Sequence, residues 1–209
     1  MNRTTISVGT FEVNCSILSE NGKALVVDPG ADASRILAEL KRQELELAAI
    51  LITHAHFDHI CAIPELRGKF PALPIFVSPV DAKIISHPFN QFPPDYPPMD
   101  EIRDTRDVKD LKDFLSSIGW QTTVETIDTP GHTPGGVCYL FSNGLLFSGD
   151  TLFCGSVGRT DFPGGSMPTL QASLEKLKKL PKETVVIPGH GSETTIAREL
   201  AGNPFLQIT

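Results

Sequence analysis

Thr53-His54-Ala55-His56-Phe57-Asp58-His59 is the stretch on which the reading of this chain turns. Three of the six histidines fall within six positions of one another there, with an aspartate between them. The apolar run from Ala48 to Thr53 reads as a buried strand that delivers the chain into His54. In extended backbone, residues two apart point to the same side. His54 and His56 can therefore reach one metal ion. Asp58 and His59 come after the chain turns and can reach a second ion beside it. Imidazole and carboxylate donors suit zinc, iron or manganese rather than calcium or magnesium. Zinc is the first choice among them.

A two-metal site needs further donors, and three more arise in one recurring context. His132 lies in Thr129-Pro130-Gly131-His132-Thr133-Pro134-Gly135-Gly136, Asp150 in Phe147-Ser148-Gly149-Asp150, and His190 in Ile187-Pro188-Gly189-His190-Gly191. Each follows a predicted strand, and each has a glycine neighbour that permits a tight turn. The reading assigns His54, His56 and His132 to one ion and Asp58, His59 and His190 to the other. Asp150 bridges, because a carboxylate has two oxygens. A divalent ion lowers the pKa of bound water to roughly 7–9, giving hydroxide near neutrality. The same ions can polarise a carbonyl and stabilise the oxyanion that forms. Asp58 and Asp150 are thus read as catalytic as well as ligating. His87, outside any cluster and beside Pro88, is read as structural.

Around this site the patterning is that of a layered α/β domain. Strands are predicted at 4–9, 11–19, 24–27, 48–53, 75–77, 122–128, 137–141, 145–148 and 184–187. Helices are predicted at 32–43, from Pro64 to about Gly68, and at 80–86, 107–118, 169–180 and 193–201. Asn21-Gly22 and Asn143-Gly144 mark hairpins. Each half ends in helix, strand, histidine, and helices outside two packed sheets bury these elements most simply. No linker divides residues 1–209, which are read as one domain. Residues 87–100 carry five prolines with Phe89, Phe92 and Tyr96, too many prolines for a helix or central strand. They are expected to form a stiff surface loop whose aromatics offer an apolar wall to substrate, with the Tyr96 hydroxyl as a hydrogen-bond donor.

The formal net charge is −7, and no Lys/Arg run stands out. That argues against nucleic acid as a partner. No leader-like apolar segment opens the sequence, and no stretch approaches a membrane span. A cytoplasmic protein with no membrane partner is expected. Cys15, Cys61, Cys138 and Cys154 are scattered and are read as reduced thiols.

The blocks Thr-His-Ala-His-Phe-Asp-His, Thr-Pro-Gly-His-Thr-Pro-Gly, Ser-Gly-Asp-Thr-Leu-Phe and Pro-Gly-His-Gly resemble the signature of the metallo-β-lactamase superfamily. Gly149 to Phe153, together with Gly158-Arg159-Thr160-Asp161, is similar to its glyoxalase II (hydroxyacylglutathione hydrolase) branch. The resemblance spans about residues 11 to 207. It implies a four-layer αββα sandwich with two metal ions at one edge. It implies hydrolysis of a small-molecule thioester such as S-D-lactoylglutathione. It also implies that Asp28, in Asp28-Pro29-Gly30, lies behind the metals, where outer hydrogen bonds fix ligand tautomers. The C-terminal helical domain of the longer enzymes, which supplies basic contacts to glutathione, has no counterpart, so the chain resembles the short bacterial form. Arg159 stands near where the longer enzymes often place a lysine; it either binds a substrate carboxylate or pairs with Asp161. Persulfide dioxygenases with a single iron are also similar, including a Gly-Arg-Thr-Asp-Phe block. Lactonases and other ester hydrolases share the fold and the hydroxide chemistry.

Overall fold

A computed structural model describes residues 1–91, 96 and 98–207. The first sheet begins as a meander of β1 (Asn2–Val8), β2 (Val13–Glu20) and β3 (Lys23–Val27). Asn21 and Gly22 both have positive φ, 53° and 77°, which is what a two-residue primed turn between twisted strands requires. Helix α1 (Ala33–Arg42) then crosses over to β4 (Glu46–Leu51), which lies parallel to β3. Two short helices, α2 (Phe57–Ile60) and α3 (Ile63–Lys69), lead to β5 (Ile75–Phe76), parallel to β4.

The second half repeats the plan. After α4 (Leu111–Ser117), strands β6 (Val124–Asp128), β7 (Val137–Phe141) and β8 (Leu145–Gly149) form a meander. The β9–β10 hairpin (Leu152–Phe153, Ser156–Val157) follows, then the crossover helix α5 (Met167–Leu177). Strand β11 (Val185–Pro188) returns parallel to β8, with β12 (Thr194–Thr195) and α6 (Ile196–Gly202) after it. Both five-stranded sheets are mixed, in the orders β1-β2-β3-β4-β5 and β12-β11-β8-β7-β6.

Three apolar clusters define four layers. Ile36 and Leu40 of α1 pack with Ile17, Val26 and Ile50 on the outer face of the first sheet. Leu18, Leu25 and Leu51 meet Tyr139, Phe147 and Ile187 between the sheets. Leu170, Leu174 and Leu177 of α5 cover Cys138, Leu146 and Val186 on the outer face of the second sheet. The arrangement is αββα, as the alternation of strands and amphipathic helices requires once each sheet must bury both faces. Helix α4 departs from the layers. Val108, Leu111 and Leu115 join the cluster between the sheets, so this helix closes the edge of the sandwich.

Several boundaries differ from the sequence reading. The helix expected at 80–86 is a 3-10 turn at Asp81–Ile84, and that at 107–118 is a 3-10 turn at Val108–Asp110 running into α4. The helix expected at 193–201 starts three residues later because Thr194–Thr195 pairs with β11. Asn143-Gly144 closes a three-residue loop, with Gly144 alone at positive φ (84°) and its N–H bonded to Phe141 O. No helix among the described residues is long and apolar enough to cross a membrane.

The topology explains why the candidate ligands converge. β6 and β8 are each antiparallel to β7, and β11 is parallel to β8, so β6, β8 and β11 run in one direction. His132, Asp150 and His190 therefore leave the same edge of the second sheet. Asp28 and the His54–His59 segment follow β3 and β4, which likewise run parallel in the first sheet. The two edges are tied where they meet: Tyr139 donates its hydroxyl to Ile52 O (2.8 Å), and Val137 N–H donates to Thr53 O (2.8 Å).

Candidate metal centre

The structure brings all seven proposed ligands to one place. His54, His56 and His132 form one group whose potential donor atoms all lie within 4.8 Å of one another, and Asp58, His59 and His190 form another. A third group, His54, His59 and Asp150, shares one residue with each and puts Asp150 between them. Asp150 Oδ1 is 3.5 Å from His59 Nε2, while Oδ2 is 3.6 Å from both His132 Nε2 and His190 Nε2. Asp58 Oδ2 is 3.3 Å from His190 Nε2.

Backbone shape sets these positions. Beyond β4 the chain stays extended through His56 (φ −68°, ψ 148°) and then turns into the single turn of α2, which carries Asp58 and His59. Gly149 has φ +48°, a conformation that side chains disfavour, and a Cβ there would lie 2.3 Å from Thr53 Oγ1. A Cβ on Gly189 would lie 2.1 Å from Asp150 Oδ1 and 2.7 Å from His59 Cε1. Glycine is needed at both positions for the ligands to close in.

Outer hydrogen bonds fix the ring orientations. His132 Nδ1 donates to Arg159 O (2.7 Å), His190 Nδ1 to Phe11 O (2.8 Å) and His59 Nδ1 to Asp28 Oδ2 (3.1 Å). Carbonyl and carboxylate oxygens only accept, so each Nδ1 carries a hydrogen and each Nε2 is the atom that faces the centre, free to bind an ion once any proton there is displaced. The Thr53 hydroxyl donates to Asp28 Oδ2 (2.6 Å), which leaves its oxygen to accept from His54 Nδ1 (3.2 Å). Asp28, held by Thr53 N–H on its other oxygen (2.8 Å), thus orients His59 directly and His54 through Thr53.

The fit to metal ions rests on what these atoms lack. His54 Nε2, His59 Nε2 and Asp150 Oδ1 are buried and have no hydrogen-bond partner. Buried polar atoms are nearly always paired, and an orphan costs about 1–3 kcal/mol. Here three orphans face one another across one spot, with His56 Nδ1 only 2.9 Å from His132 Nε2. Nitrogen and carboxylate donors so placed fit divalent transition-metal ions.

The electrostatics of the metal-free chain differ across the centre. Burial, reinforced by the neighbouring histidines, pushes His54 well below its ordinary pKa and His56 down to about 3. On the other side burial also acts against charge, but it is outweighed. Asp58, Asp150 and Asp28 raise His59 to about 10, and His59 and His190 hold Asp58 at about 2. The first group offers neutral imidazoles. The second holds protons that a cation would displace.

Sequence reasoning missed a second tier of residues. Asp81 is fully buried and accepts from Ala55 N–H (3.0 Å), the Thr133 hydroxyl (2.8 Å) and Gly135 N–H (2.6 Å). Asn90 donates to Ala55 O (2.7 Å) and accepts from Phe57 N–H (3.0 Å). Ala55, between His54 and His56, is thereby clamped on both its backbone groups. Asn14 donates its side-chain amide to Pro188 O (3.0 Å) and Gly191 O (2.8 Å), bracing the turn that carries His190. Nothing local hinted at either Asn14 or Asp81, since Ser16 and Ser19 share the strand with Asn14.

Above the centre opens a cavity of about 840 Å³, lined by Phe11, Phe57, Phe89, Phe153 and Phe162 besides Arg159 and ligand side chains. Arg159 lines it with its guanidinium bound to Asp161 at 2.7 Å through both Nε and Nη2 and stacked 3.9 Å from the Phe162 centroid. Tyr96 corrects the expectation of a substrate contact. It is buried (3% exposed) behind Phe11 and Phe57, at 5.7 and 5.1 Å between ring centroids, and does not line the cavity. Phe92 lies outside the described residues. His87 caps a 3-10 turn at Pro88–Asn90, accepting from Phe89 N–H, and is not among the ligand groups.

The chain resembles known proteins over nearly its whole length. The hydroxyacylglutathione hydrolase GloC of Haemophilus influenzae is 35% identical over 99% of this chain and 98% of its own. The crystal structure of the BLEG-1 B3 metallo-beta-lactamase superposes with a TM-score of 0.85 at 33% identity, covering 99% of this chain and all (100%) of that one. The di-iron-bound form of TTHA1623 superposes with a TM-score of 0.84 at 33% identity, over 97% of this chain and 100% of that one. Residues 8–190 match the metallo-beta-lactamase superfamily as a whole, and the chain belongs to that superfamily of metal-dependent hydrolases.

Proposed function

We propose that this chain is a dinuclear-metal hydrolase that cleaves thioesters to a carboxylate and a free thiol. The observation that carries the two-metal reading is that His54 Nε2, His59 Nε2 and Asp150 Oδ1 are buried together without hydrogen-bond partners. His54, His56 and His132 would hold one ion and Asp58, His59 and His190 the other, with Asp150 shared. Ions held there would make water acidic enough to ionise near neutrality and would polarise the carbonyl under attack. Asp28, through Thr53 and His59, keeps the ligand lone pairs aimed inward, and Asp58 sets the charge balance of the second site. The phenylalanines around the cavity exclude bulk water and strengthen every electrostatic contact inside it. The thioester class is supported by the relative named hydroxyacylglutathione hydrolase, and iron as an occupant besides zinc by the di-iron neighbour.

The test is thiol release from S-D-lactoylglutathione by protein loaded separately with zinc, iron and manganese, with Asp58→Ala as control. Release that the control abolishes supports the reading. Metal-loaded protein that releases no thiol from any thioester, yet consumes oxygen with glutathione persulfide, would replace it with the dioxygenase reading.

A further inference from the structure

The cavity walls carry an inference about substrate that rests on the thioester reading. Phe11 and Phe162 are 41% and 39% exposed, although large apolar side chains are normally covered, and both line the cavity. They stand at opposite ends of the ligand row. Phe11 belongs to the β1–β2 loop, whose carbonyl at Phe11 orients His190, and it packs edge-on against Phe57 at 5.5 Å. Phe162 belongs to the loop whose Arg159 carbonyl orients His132, and it packs edge-on against His56 at 5.6 Å. A carbonyl placed over the two metal groups therefore has an aromatic surface beneath each of its arms.

Charge recognition is correspondingly poor. Among the described residues, Arg159 is the only Lys or Arg lining the cavity. Asp161 takes the Nε–Nη2 edge of its guanidinium and balances its charge, and Phe162 covers one face, which leaves the Nη1 side. Glutathione carries two carboxylates and would meet a single cation whose charge Asp161 already balances. An apolar arm needs no cation, because it gains from burial against the phenylalanines.

We propose that the site prefers thioesters with an uncharged, apolar thiol arm, held against Phe11 and Phe162, over thioesters of anionic thiols such as glutathione. The atoms balance as in any thioester hydrolysis. Hydroxide adds to the carbonyl carbon, the carbon–sulfur bond breaks, sulfur leaves with its electron pair, and the proton of the added hydroxyl passes to it, giving a carboxylate and the free thiol.

The experiment compares two substrates that share one acyl group: S-D-lactoylglutathione and the D-lactoyl thioester of benzyl mercaptan. Binding of the matching thioethers, in which a methylene replaces the thioester carbonyl, is measured by calorimetry on the same metal-loaded protein. The expected result is a kcat/KM at least about tenfold higher for the benzyl ester, and tighter binding of the benzyl thioether, a tenfold ratio being about 1.4 kcal/mol. Phe11→Ala and Phe162→Ala should each reduce that preference several-fold, whereas Phe70→Ala, exposed but remote from the cavity, should leave it intact. Preference for the glutathione ester, or a preference unchanged in both cavity variants, overturns the inference while leaving the thioester reading standing. Failure to cleave either ester overturns the thioester reading, and the inference with it.

Discussion

Replacing Asp81 with asparagine should separate the first metal site from the second. The carboxylate accepts three hydrogen bonds, one from the backbone between His54 and His56 and two from the loop that follows His132. An amide of the same size keeps only one acceptor atom. Its best placement puts Oδ1 where it accepts from Ala55 and Thr133, and turns the NH2 toward Gly135 N–H, donor against donor. One buried N–H loses its partner, a cost of about 1–3 kcal/mol. For a chain of this length each kcal/mol lowers the midpoint by roughly 2–4 °C, so a fall of about 2–12 °C is expected. Asp81→Ala orphans two backbone N–H groups and should cost about 2–6 kcal/mol on the same scale. Both loops held by Asp81 deliver ligands of the first group, whereas Asp28 touches the second group directly through His59 and the first only through Thr53. Affinity at the first site should therefore fall about 10–100-fold, with the second site nearly unchanged. Chelator competition read by metal analysis measures both affinities, and thermal unfolding of the metal-free protein measures the stability term. An Asn variant with an unchanged midpoint and unchanged affinity at both sites would refute the argument.

Asp28→Ala should act on both sites, weakening the second ion about 10–100-fold because His59 loses the acceptor that fixes its tautomer, and the first ion less because His54 is held only through Thr53; the same chelator competition reads it. Gly189→Ala should lose metal altogether, since its Cβ would sit 2.1 Å from Asp150 Oδ1, and full metal content would show that the turn yields more easily than its geometry implies. Glu20 accepts from Gln121 N–H, Thr122 N–H and the Thr122 hydroxyl; burial pushes its pKa up, but these donors outweigh it and hold the carboxyl below its ordinary 4.5. Its contribution is present above pH 4.5 and is lost as pH falls through the lowered value. Glu20→Gln should therefore flatten the loss of urea stability as pH falls below 4.5, and an identical slope in the two proteins would count against the linkage.

The sequence made much of this visible because the donors come in a rare pattern. His-x-His-x-Asp-His after an apolar run has few other physical uses, and His132, Asp150 and His190 share a strand–turn context with it. Helices α1 and α5 were legible for a different reason: their apolar residues repeat at helical spacing over three turns. What stayed hidden depends on tertiary placement. Asp81, inside a predicted helix, and Asn90, in a predicted loop, look ordinary until β5 brings their segment beside Ala55. The two-residue strands β9, β10 and β12 are too short for any period to show. The aromatics of its loop point to Tyr96 as a wall residue, but Tyr96 is buried against Phe11 and Phe57, which are distant in sequence. Phe11, Phe57, Phe153 and Phe162 went unremarked as a wall because they come from four separate segments.

The most direct test is anomalous diffraction from crystals of metal-loaded protein, collected on either side of the metal's absorption edge. Two peaks are predicted, one among His54, His56 and His132 and the other among Asp58, His59 and His190, with Asp150 touching both. A single peak at the first group, with Asp58 and His190 turned away from any metal, would contradict a two-metal hydrolase.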